Sequence, residues 1–184
     1  METQIHGALV DVAGVGALLV GPSGIGKSEC ALELIRRGHR LVADDLVRLR
    51  PSADGQRLLG TAPELIRHFI EVRGIGILYV PDVYGEQAVT SESEVALLIR
   101  LEAWSRDTHY ERVGLERAME SVAGVKVPSL VLSVRPAANM ATLVEVAARD
   151  FVQRRTGMSA AQLIDERILR SRSIVLGSAK EAGP

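Results

Sequence analysis

The chain has 184 residues, 47% hydrophobic and 24% charged, which is the composition of one globular domain and excludes a largely disordered chain. Its 22 Lys and Arg balance 23 Asp and Glu, and it holds one Trp, three Tyr and two Phe, which argues against nucleic-acid partners that need a basic or aromatic-rich surface. A single cysteine, Cys30, excludes an internal disulfide and a cysteine-based zinc site.

No apolar stretch is long enough to cross a membrane, since the longest uncharged run, Val12–Gly26, is interrupted by Gly and Pro. The first residues, Met1–Gln4, contain no basic segment of the kind that opens a signal peptide. The sequence therefore predicts a soluble cytoplasmic protein without a membrane partner.

The first part of the chain predicts two extended segments and one helix. Ile5–Val12 and Ala17–Val20 are rich in β-forming residues and are joined by a glycine turn, so we expect a hairpin or two adjacent strands. A glycine-rich loop follows, and then Lys27–Arg37 shows helical spacing of its apolar residues, with Gly38 as a stop signal.

Further along, the apolar pattern predicts alternating short strands and turns up to residue 101. In chain order these are a strand Leu41–Ala43, a hairpin of Val47–Leu49 with Arg57–Leu59, a short helix opened by Pro63, a buried strand Ile77–Val80, a loop Pro81–Glu86 and a strand Val95–Leu101.

The last part predicts a loop, a strand and two helices. Trp104–Gly124 is charged and weakly periodic, so we expect a surface loop there. Ser129–Val134 is strand-like, Asn139 opens a helix to about Arg155, and Ser159 is the N-cap of a last helix that ends near Arg170.

The strongest chemical signal is a phosphate-binding motif between the predicted strand Ala17–Val20 and the predicted helix. It fits the pattern G-x-x-x-x-G-K-[ST] with the residues Gly21, Pro22, Ser23, Gly24, Ile25, Gly26, Lys27 and Ser28. Backbone N–H groups of such a loop converge on phosphate oxygens, the lysine neutralises the β and γ oxygens, and the hydroxyl can bind Mg²⁺. The motif predicts a nucleotide site.

Two adjacent carboxylates, Asp44 and Asp45, end the strand after the predicted helix. In an open α/β sheet this is the edge where ligands bind. One carboxylate could face the metal while the other accepts a proton, as a kinase requires. A pair of turn aspartates explains the pattern equally well.

Three further positions have weaker signals. Glu71 and Arg73 would lie on the same side of a strand edge, as a Mg²⁺ ligand and a phosphate contact or as a solvated surface pair. His6 alone fits a scaffold histidine, and Arg112 alone fits a solvated charge in a polar loop.

Together these segments resemble the catalytic domain of HPr kinase/phosphorylase, the bacterial enzyme that phosphorylates a serine of the small carrier protein HPr. The resemblance runs from about Ile5 to Arg170, nearly the whole chain. The matching blocks are IHGALVD at 5–11, the segment 21–47, EVRGIGI at 71–77, YERVG at 110–114, and VRP at 134–136 ahead of EVAA at 145–148.

The resemblance implies a fold and a chemistry. The fold would be α/β, with a P-loop NTPase-like core related to phosphoenolpyruvate carboxykinase and C-terminal helices, forming one catalytic domain over residues 1–184. By similarity, Ser28 and Glu71 hold Mg²⁺ and Asp45 accepts the serine proton. His6, Lys27 and Arg112 are implied as active-site residues, with Asp44, Arg73 and Arg135 as further candidates.

The resemblance also implies partners. ATP would be the phosphoryl donor, with pyrophosphate as an alternative, HPr or an HPr-like carrier the acceptor, and a cytoplasmic homohexamer the assembly, in the phosphotransferase-system control of carbon metabolism. The reverse reaction, attack of inorganic phosphate on phosphoserine with release of pyrophosphate, is implied as well. Alternative hypotheses are a P-loop kinase for a small-molecule hydroxyl and an ATP-binding sensor without catalysis.

The chain departs from the family pattern in two places. The usual family form has a further N-terminal domain, whereas this chain starts just before the His6 block. The family loop Arg-Pro-Gly-Arg-Asn is Arg135-Pro136-Ala137-Ala138-Asn139 here. Because this loop is associated with dephosphorylation in the family, we expect the kinase direction to be favoured.

Overall fold

The computed structural model describes residues 2–105, 117–135, 138–157, 160 and 162–170. Its strands are β1 Thr3–His6, β2 Ala8–Val12, β3 Val15–Val20, β4 Arg40–Ala43, β5 Leu46–Pro51, β6 Leu58–Thr61, β7 Phe69–Val72, β8 Gly76–Tyr79, β9 Glu92–Ala103, β10 Ala118–Val122 and β11 Val125–Val134. Its helices are α1 Lys27–Arg36, α2 Val80–Tyr84 and α3 Met140–Thr156, and residues 162–170 are also helical. Short 3₁₀ turns occupy Glu64–Ile66 and Glu86–Ala88.

A nine-stranded mixed sheet forms the centre of the fold, with the path β1-β5-β6-β9-β3-β2-β4 and a branch from β9 through β11 to β10. β3 and β11 both run parallel to β9, whereas β2 is antiparallel to both β3 and β4. The strands β3, β4, β9 and β11 therefore point the same way, and their carboxyl ends lie at one edge of the sheet. The phosphate-binding loop follows β3, the Asp44–Asp45 turn follows β4 and Arg135 follows β11, so these three segments leave from that edge.

Two apolar clusters cover the two faces of the sheet. On one face α1 and α3 pack on the strands through residues such as Leu34 and Val144, neither of which is exposed. On the other face the cluster includes Leu18 and Val42 from the central strands and Val127 from β11. Because both faces are covered, β2 and β3 are buried along their whole length, which matches their nearly continuous apolar sequence.

The two main helices end where local chemistry stops them. The chain leaves α1 through Gly38, whose φ of +93° suits a residue without a Cβ. At the start of α3 the Asn139 side chain accepts a hydrogen bond from the N–H of Thr142 over 3.1 Å, which satisfies one of the free first-turn donors. Both features confirm the sequence-based boundaries to within a residue.

Three sequence-based element predictions are wrong or incomplete. The strand expected to be buried at Ile77–Val80 is β8, and Ile77 is 73% exposed because β7 and β8 form a separate two-stranded sheet with one uncovered face. The expected loop after it begins with α2. The expected surface loop Trp104–Gly124 contains β10, which pairs with β11, and residues 106–116 lie outside the described residues. Within the described part of the chain, no helix could span a membrane.

Candidate active site

The phosphate-binding motif forms the loop between β3 and α1, at the edge where the parallel strands end. The loop starts in tight contact with its neighbour strand, since a Cβ on Gly21 would lie 2.4 Å from the backbone oxygen of Leu101 in β9. Only glycine fits at that distance. The loop borders a polar cavity of about 150 Å³, and its lining residues are His6, Ser23, Gly24, Gly26, Lys27, Ser28, Glu29, Asp44, Asp45, Glu71 and Arg73.

Lys27 holds the loop in shape from its centre. The Lys27 side chain is buried, and its Nζ donates hydrogen bonds to the backbone oxygens of Gly21 and Pro22, each over 3.0 Å. Both partners are neutral, and no carboxylate in the described part of the chain forms an ion pair with Lys27. A buried, uncompensated ammonium at the start of a helix attracts anions such as phosphate.

Asp44 joins the loop to the β7–β8 hairpin. Its Oδ1 accepts a hydrogen bond from the hydroxyl of Ser28 over 3.0 Å, and its Oδ2 lies 3.4 Å from the backbone nitrogen of Glu71. Burial raises the pKa of the Asp44 carboxyl, while the hydrogen bonds from Ser28 and Glu71 act in the opposite direction. The buried Asp44 therefore places the hydroxyl and the carboxylate of two predicted metal ligands in the same cavity.

Asp45 faces the other way, towards solvent and His6. Its side chain is 69% exposed, and its Oδ1 lies 3.0 Å from Nδ1 of His6. The backbone of Asp45 has φ +66°, a left-handed conformation that aspartate adopts more readily than most residues, and this turn reverses the direction of the side chain relative to Asp44. One of the two adjacent carboxylates is thus structural, and the other is available to an acceptor.

Arg73 lies directly over the loop. A Cβ on Gly24 would be 3.0 Å from the Arg73 guanidinium, so the absence of a side chain at Gly24 makes room for this cation. Gly24 also has φ +80°, a second reason for glycine at this position. Arg73 and Glu71 both line the cavity and are both exposed, so they form a solvated pair at the cavity, and their roles as phosphate contact and Mg²⁺ ligand stay a prediction.

The structure brings most of the sequence-predicted site residues together. Pro22 and Gly21 serve through their backbone oxygens, and Ile25 packs against the apolar cluster under α1. Arg135 lies at the end of β11 with its guanidinium 5.3 Å from the centre of the Trp104 ring. Arg112 falls outside the described residues.

Sequence reasoning missed Glu29, an acidic residue in the first turn of α1 that lines the cavity. The available signal was its position directly after Ser28. A carboxylate in the first turn of a helix interacts favourably with the helix N-terminus.

The cavity offers hard oxygen donors of the kind that Mg²⁺ takes. Ser28 contributes a hydroxyl and Glu71 a carboxylate, and Mg²⁺ in nucleotide sites is held by one or two protein oxygens together with substrate phosphates. Among the described residues, no three His, Cys, Asp or Glu side chains group closely enough to hold a metal by themselves. The donor set fits a metal that arrives with the nucleotide.

Comparison with known proteins identifies relatives over most of the chain. A family model described as HPr Serine kinase C-terminal domain matches residues 1–168. An HPr kinase/phosphorylase from Caldanaerobacter subterraneus is 51% identical over 169 residues, covering 92% of this chain and 55% of the relative. One from Bacillus licheniformis is 49% identical over 160 residues, covering 87% of this chain and 51% of the relative. The chain thus spans about half the length of the curated relatives it matches.

A solved structure supports the same relationship at the level of the fold. The HPr(Ser) kinase/phosphatase from Coxiella burnetii superposes with a TM-score of 0.76 at 30% sequence identity. The match covers 84% of this chain and 99% of the solved chain. The mixed sheet and the arrangement of its helices are therefore shared with a protein of that name.

Proposed function

Because this chain belongs to the HPr Serine kinase C-terminal domain family, we propose that it transfers the γ-phosphoryl group of ATP to a serine of the carrier protein HPr. The relatives are named HPr kinase/phosphorylase and HPr(Ser) kinase/phosphatase, and these names support a serine of HPr as the acceptor. The observation that carries the proposal is the exposed Asp45 carboxylate beside His6, at the rim of the cavity that also holds Lys27. A protein that only bound nucleotide would need no exposed base there.

The chain's own residues divide the chemistry between donor and acceptor. The loop N–H groups and Lys27 hold the β and γ phosphates of ATP and stabilise the charge that grows on the leaving oxygen. In the transfer step, the serine oxygen bonds to the γ phosphorus while the bond between that phosphorus and the ADP oxygen breaks. The Asp45 carboxylate accepts the proton that the serine hydroxyl releases. His6, 3.0 Å from Asp45, orients that carboxylate.

Ser28 and Glu71 would hold Mg²⁺ in this proposal. When bound, the ion neutralises phosphate charge and fixes the phosphate chain of ATP for in-line transfer. Asp44 has a positioning role, because it accepts a hydrogen bond from the Ser28 hydroxyl and contacts the Glu71 backbone. Arg73, above the loop, supplies a second cation for the phosphates. Arg112 remains a candidate by family resemblance.

The proposal includes the finer properties that the resemblance implies. These are a P-loop core related to phosphoenolpyruvate carboxykinase, a homo-oligomeric cytoplasmic assembly, and the reverse reaction in which inorganic phosphate takes the phosphoryl group from phosphoserine to give pyrophosphate. The loop after Arg135 weakens that reverse reaction in our proposal, because the family's arginine is Ala138 here.

The test mixes the purified chain with HPr, ATP and Mg²⁺ and follows the intact mass of HPr. We expect the mass to increase by one phosphate, on a serine, and the Asp45→Asn variant to lose most of this activity. A chain that binds ATP but leaves HPr unmodified would support the sensor alternative. Phosphorylation of a small alcohol instead of HPr would support the small-molecule kinase.

A further inference from the structure

The β7–β8 hairpin has one buried face and one apolar face that the described part of the chain leaves uncovered. Ile70 and Val72 point into the core beside α1, with 1% and 7% of their surface exposed. On the outer side and the connecting turn, Ile77 is 73% exposed, Ile75 69% and Phe69 40%. The hairpin is therefore a firmly anchored platform, and we call the residues Phe69, Ile75 and Ile77 its apolar face.

This apolar face begins at the cavity. Ile77 is the direct cross-strand partner of Glu71, so the two side chains stand on the same side of the hairpin, with Cβ atoms about 4.5–5.5 Å apart. Glu71 lines the cavity and its backbone nitrogen lies 3.4 Å from the Asp44 carboxylate. Asp45, the proposed base, is the next residue. Ile77 therefore stands beside the carboxylate of Glu71, on the hairpin side of the cavity that Asp45 also lines.

We propose that the apolar face docks the protein substrate, by contact with an apolar patch beside the acceptor serine. This inference rests on the proposed function. A serine on a folded protein reaches Asp45 only when the surface around that serine lies against the rim of the cavity. On the hairpin side, Ile77 stands next to Glu71, which lines that cavity, and a surface of the substrate gains from contact with Ile77 only where that surface is apolar.

The small area of the apolar face favours a substrate over a second copy of this chain. Three side chains offer a few hundred Å² at most, whereas a stable protein interface buries about 800 Å² on each partner. A kinase must release its phosphorylated product on every cycle, so a small apolar contact next to the reacting atoms suits a transient complex.

The charged and the apolar residues of the hairpin have different roles in the proposal. Its charged residues, Glu71 and Arg73, lie at the cavity, while Phe69 and Ile77 carry no group that can take part in phosphoryl transfer. Loss of the apolar contact should therefore weaken the encounter with the protein substrate and leave the transfer step and the ATP site intact. In kinetic terms, KM for HPr should increase while kcat stays constant.

The experiment compares Ile77→Thr with the matched control Val131→Thr, which changes an exposed β-branched residue on β11. Threonine keeps the β-branched shape and removes the apolar end of the side chain. We expect KM of Ile77→Thr for HPr to increase about tenfold, as for a residue at a small docking site. We expect kcat and the calorimetric Kd for Mg-ATP to stay within twofold of wild type, Val131→Thr to match wild type, and Ile77→Val to restore KM.

Each outcome has a distinct meaning. If wild type phosphorylates HPr and the KM of Ile77→Thr is unchanged, this inference is overturned alone. If wild type leaves HPr unmodified, the proposed function is overturned and this inference with it. A Kd for Mg-ATP that weakens in parallel with KM, or a molar mass by light scattering that falls in Ile77→Thr, would place the residue in the nucleotide site or between copies and overturn docking. Ile75→Thr, in the turn, repeats the test should Ile77→Thr fold poorly.

Discussion

Lys27 is a buried cation whose hydrogen-bond partners are two neutral backbone oxygens. Such a charge is costly to bury unless an anion joins it, because its neighbours compensate it only through their dipoles. In the proposed function, the phosphates of ATP supply that anion. We therefore expect Lys27 to be in position for phosphate before the nucleotide binds.

Lys27→Ala should reduce the affinity for Mg-ATP and lower the rate of HPr phosphorylation by about a hundredfold or more, the effect of removing one preorganised electrostatic contact. Calorimetric titration with Mg-ATP and the phosphorylation rate measure the two effects. Lys126→Ala, which removes an exposed lysine from β11, is the control. Wild-type activity in Lys27→Ala would show that the phosphate site lies elsewhere.

Removal of the Asp45 charge and removal of the Glu71 charge should change different kinetic properties of the enzyme. Asp45→Asn leaves the left-handed turn intact, since asparagine also tolerates φ +66°, but the amide cannot accept the serine proton. We expect Mg-ATP binding to persist and kcat to fall by about 10²–10⁴. Glu71→Gln should instead raise the Mg²⁺ concentration needed for half-maximal rate. Equal losses of nucleotide affinity in both variants would contradict this division.

At the scale of elements, a polar cluster joins the helix that carries the phosphate loop to α3. Arg37 follows α1 and donates hydrogen bonds to Glu33 and Glu145, and His39 Nε2 lies 2.8 Å from Glu145 Oε1. All these side chains are largely shielded from solvent. The cluster therefore joins the C-terminal end of α1, the helix that follows the phosphate loop, to α3.

This cluster predicts a pH-dependent stability. The hydrogen bond with His39, and then those from Arg37, hold the pKa of Glu145 below its ordinary value of 4.5. A carboxyl with a lowered pKa stabilises the fold above its unfolded pKa, and that stability is lost as the pH falls through the folded value. Glu145→Gln should lower the free energy of unfolding by about 1 kcal/mol at neutral pH, and the difference from wild type should shrink below pH 4.5.

Denaturant unfolding from about pH 3 to about pH 7, a range that spans the ordinary carboxyl pKa of 4.5, measures this difference. Glu64→Gln, in an exposed pair with Arg67, is the matched control and should change stability little at any pH. A Glu145→Gln effect that is constant across the range would contradict the role of its charge.

From the residues of the loop between β11 and α3, we predict that phosphorylation of HPr is faster than the reverse phosphorolysis. Ala138 replaces an arginine of the family pattern, and its backbone N–H donates to the oxygen of Arg135 over 3.1 Å. Arg135 itself is held over Trp104. With fewer cations to gather phosphate and phosphoserine, phosphorolysis should be slower than phosphorylation. Pyrophosphate release from phosphorylated HPr in excess phosphate measures it, and the Ala137→Gly, Ala138→Arg double variant should accelerate it.

Wild-type pyrophosphate release as fast as the forward reaction, and unchanged in the double variant, would remove the basis for this prediction. The forward rate serves as the internal control, because its proposed residues, Lys27 and Asp45 among them, are untouched by the two substitutions.

Sequence patterns predict these elements well where the signal is local. The glycine loop, the helix after it and the Asn139 N-cap each depend on neighbours within a few residues. The contact between His6 and Asp45 depends instead on residues distant in sequence, because it arises from the antiparallel register that pairs His6 with Leu46. The exposure of Ile77 could not be predicted from the sequence either, since an apolar strand residue is buried only when another element covers its face of the sheet.

At the scale of the whole molecule, the remaining exposed apolar residues predict an assembly. On α3, Leu143, Val146 and Val152 are each at least 40% exposed, and the helical segment 162–170 adds further apolar positions. Burial of such a surface between copies would stabilise a homo-oligomer. We expect a hexamer by family resemblance, with acceptor sites near subunit boundaries. Light scattering at working concentration measures the mass, and a monomer would contradict the prediction.

The position of β9 at the centre of the sheet has a consequence for biosynthesis. Val20 of β3 pairs with Arg100 of β9, so the ribosome must add about eighty more residues before β3 gains this neighbour. Until then the largely apolar β2–β3 hairpin lacks one of its neighbouring strands. A nascent chain with such distant pairings folds late and exposes apolar surface while it grows. Because β9 is synthesised long after β3, we expect the early part of the chain to bind chaperones during synthesis.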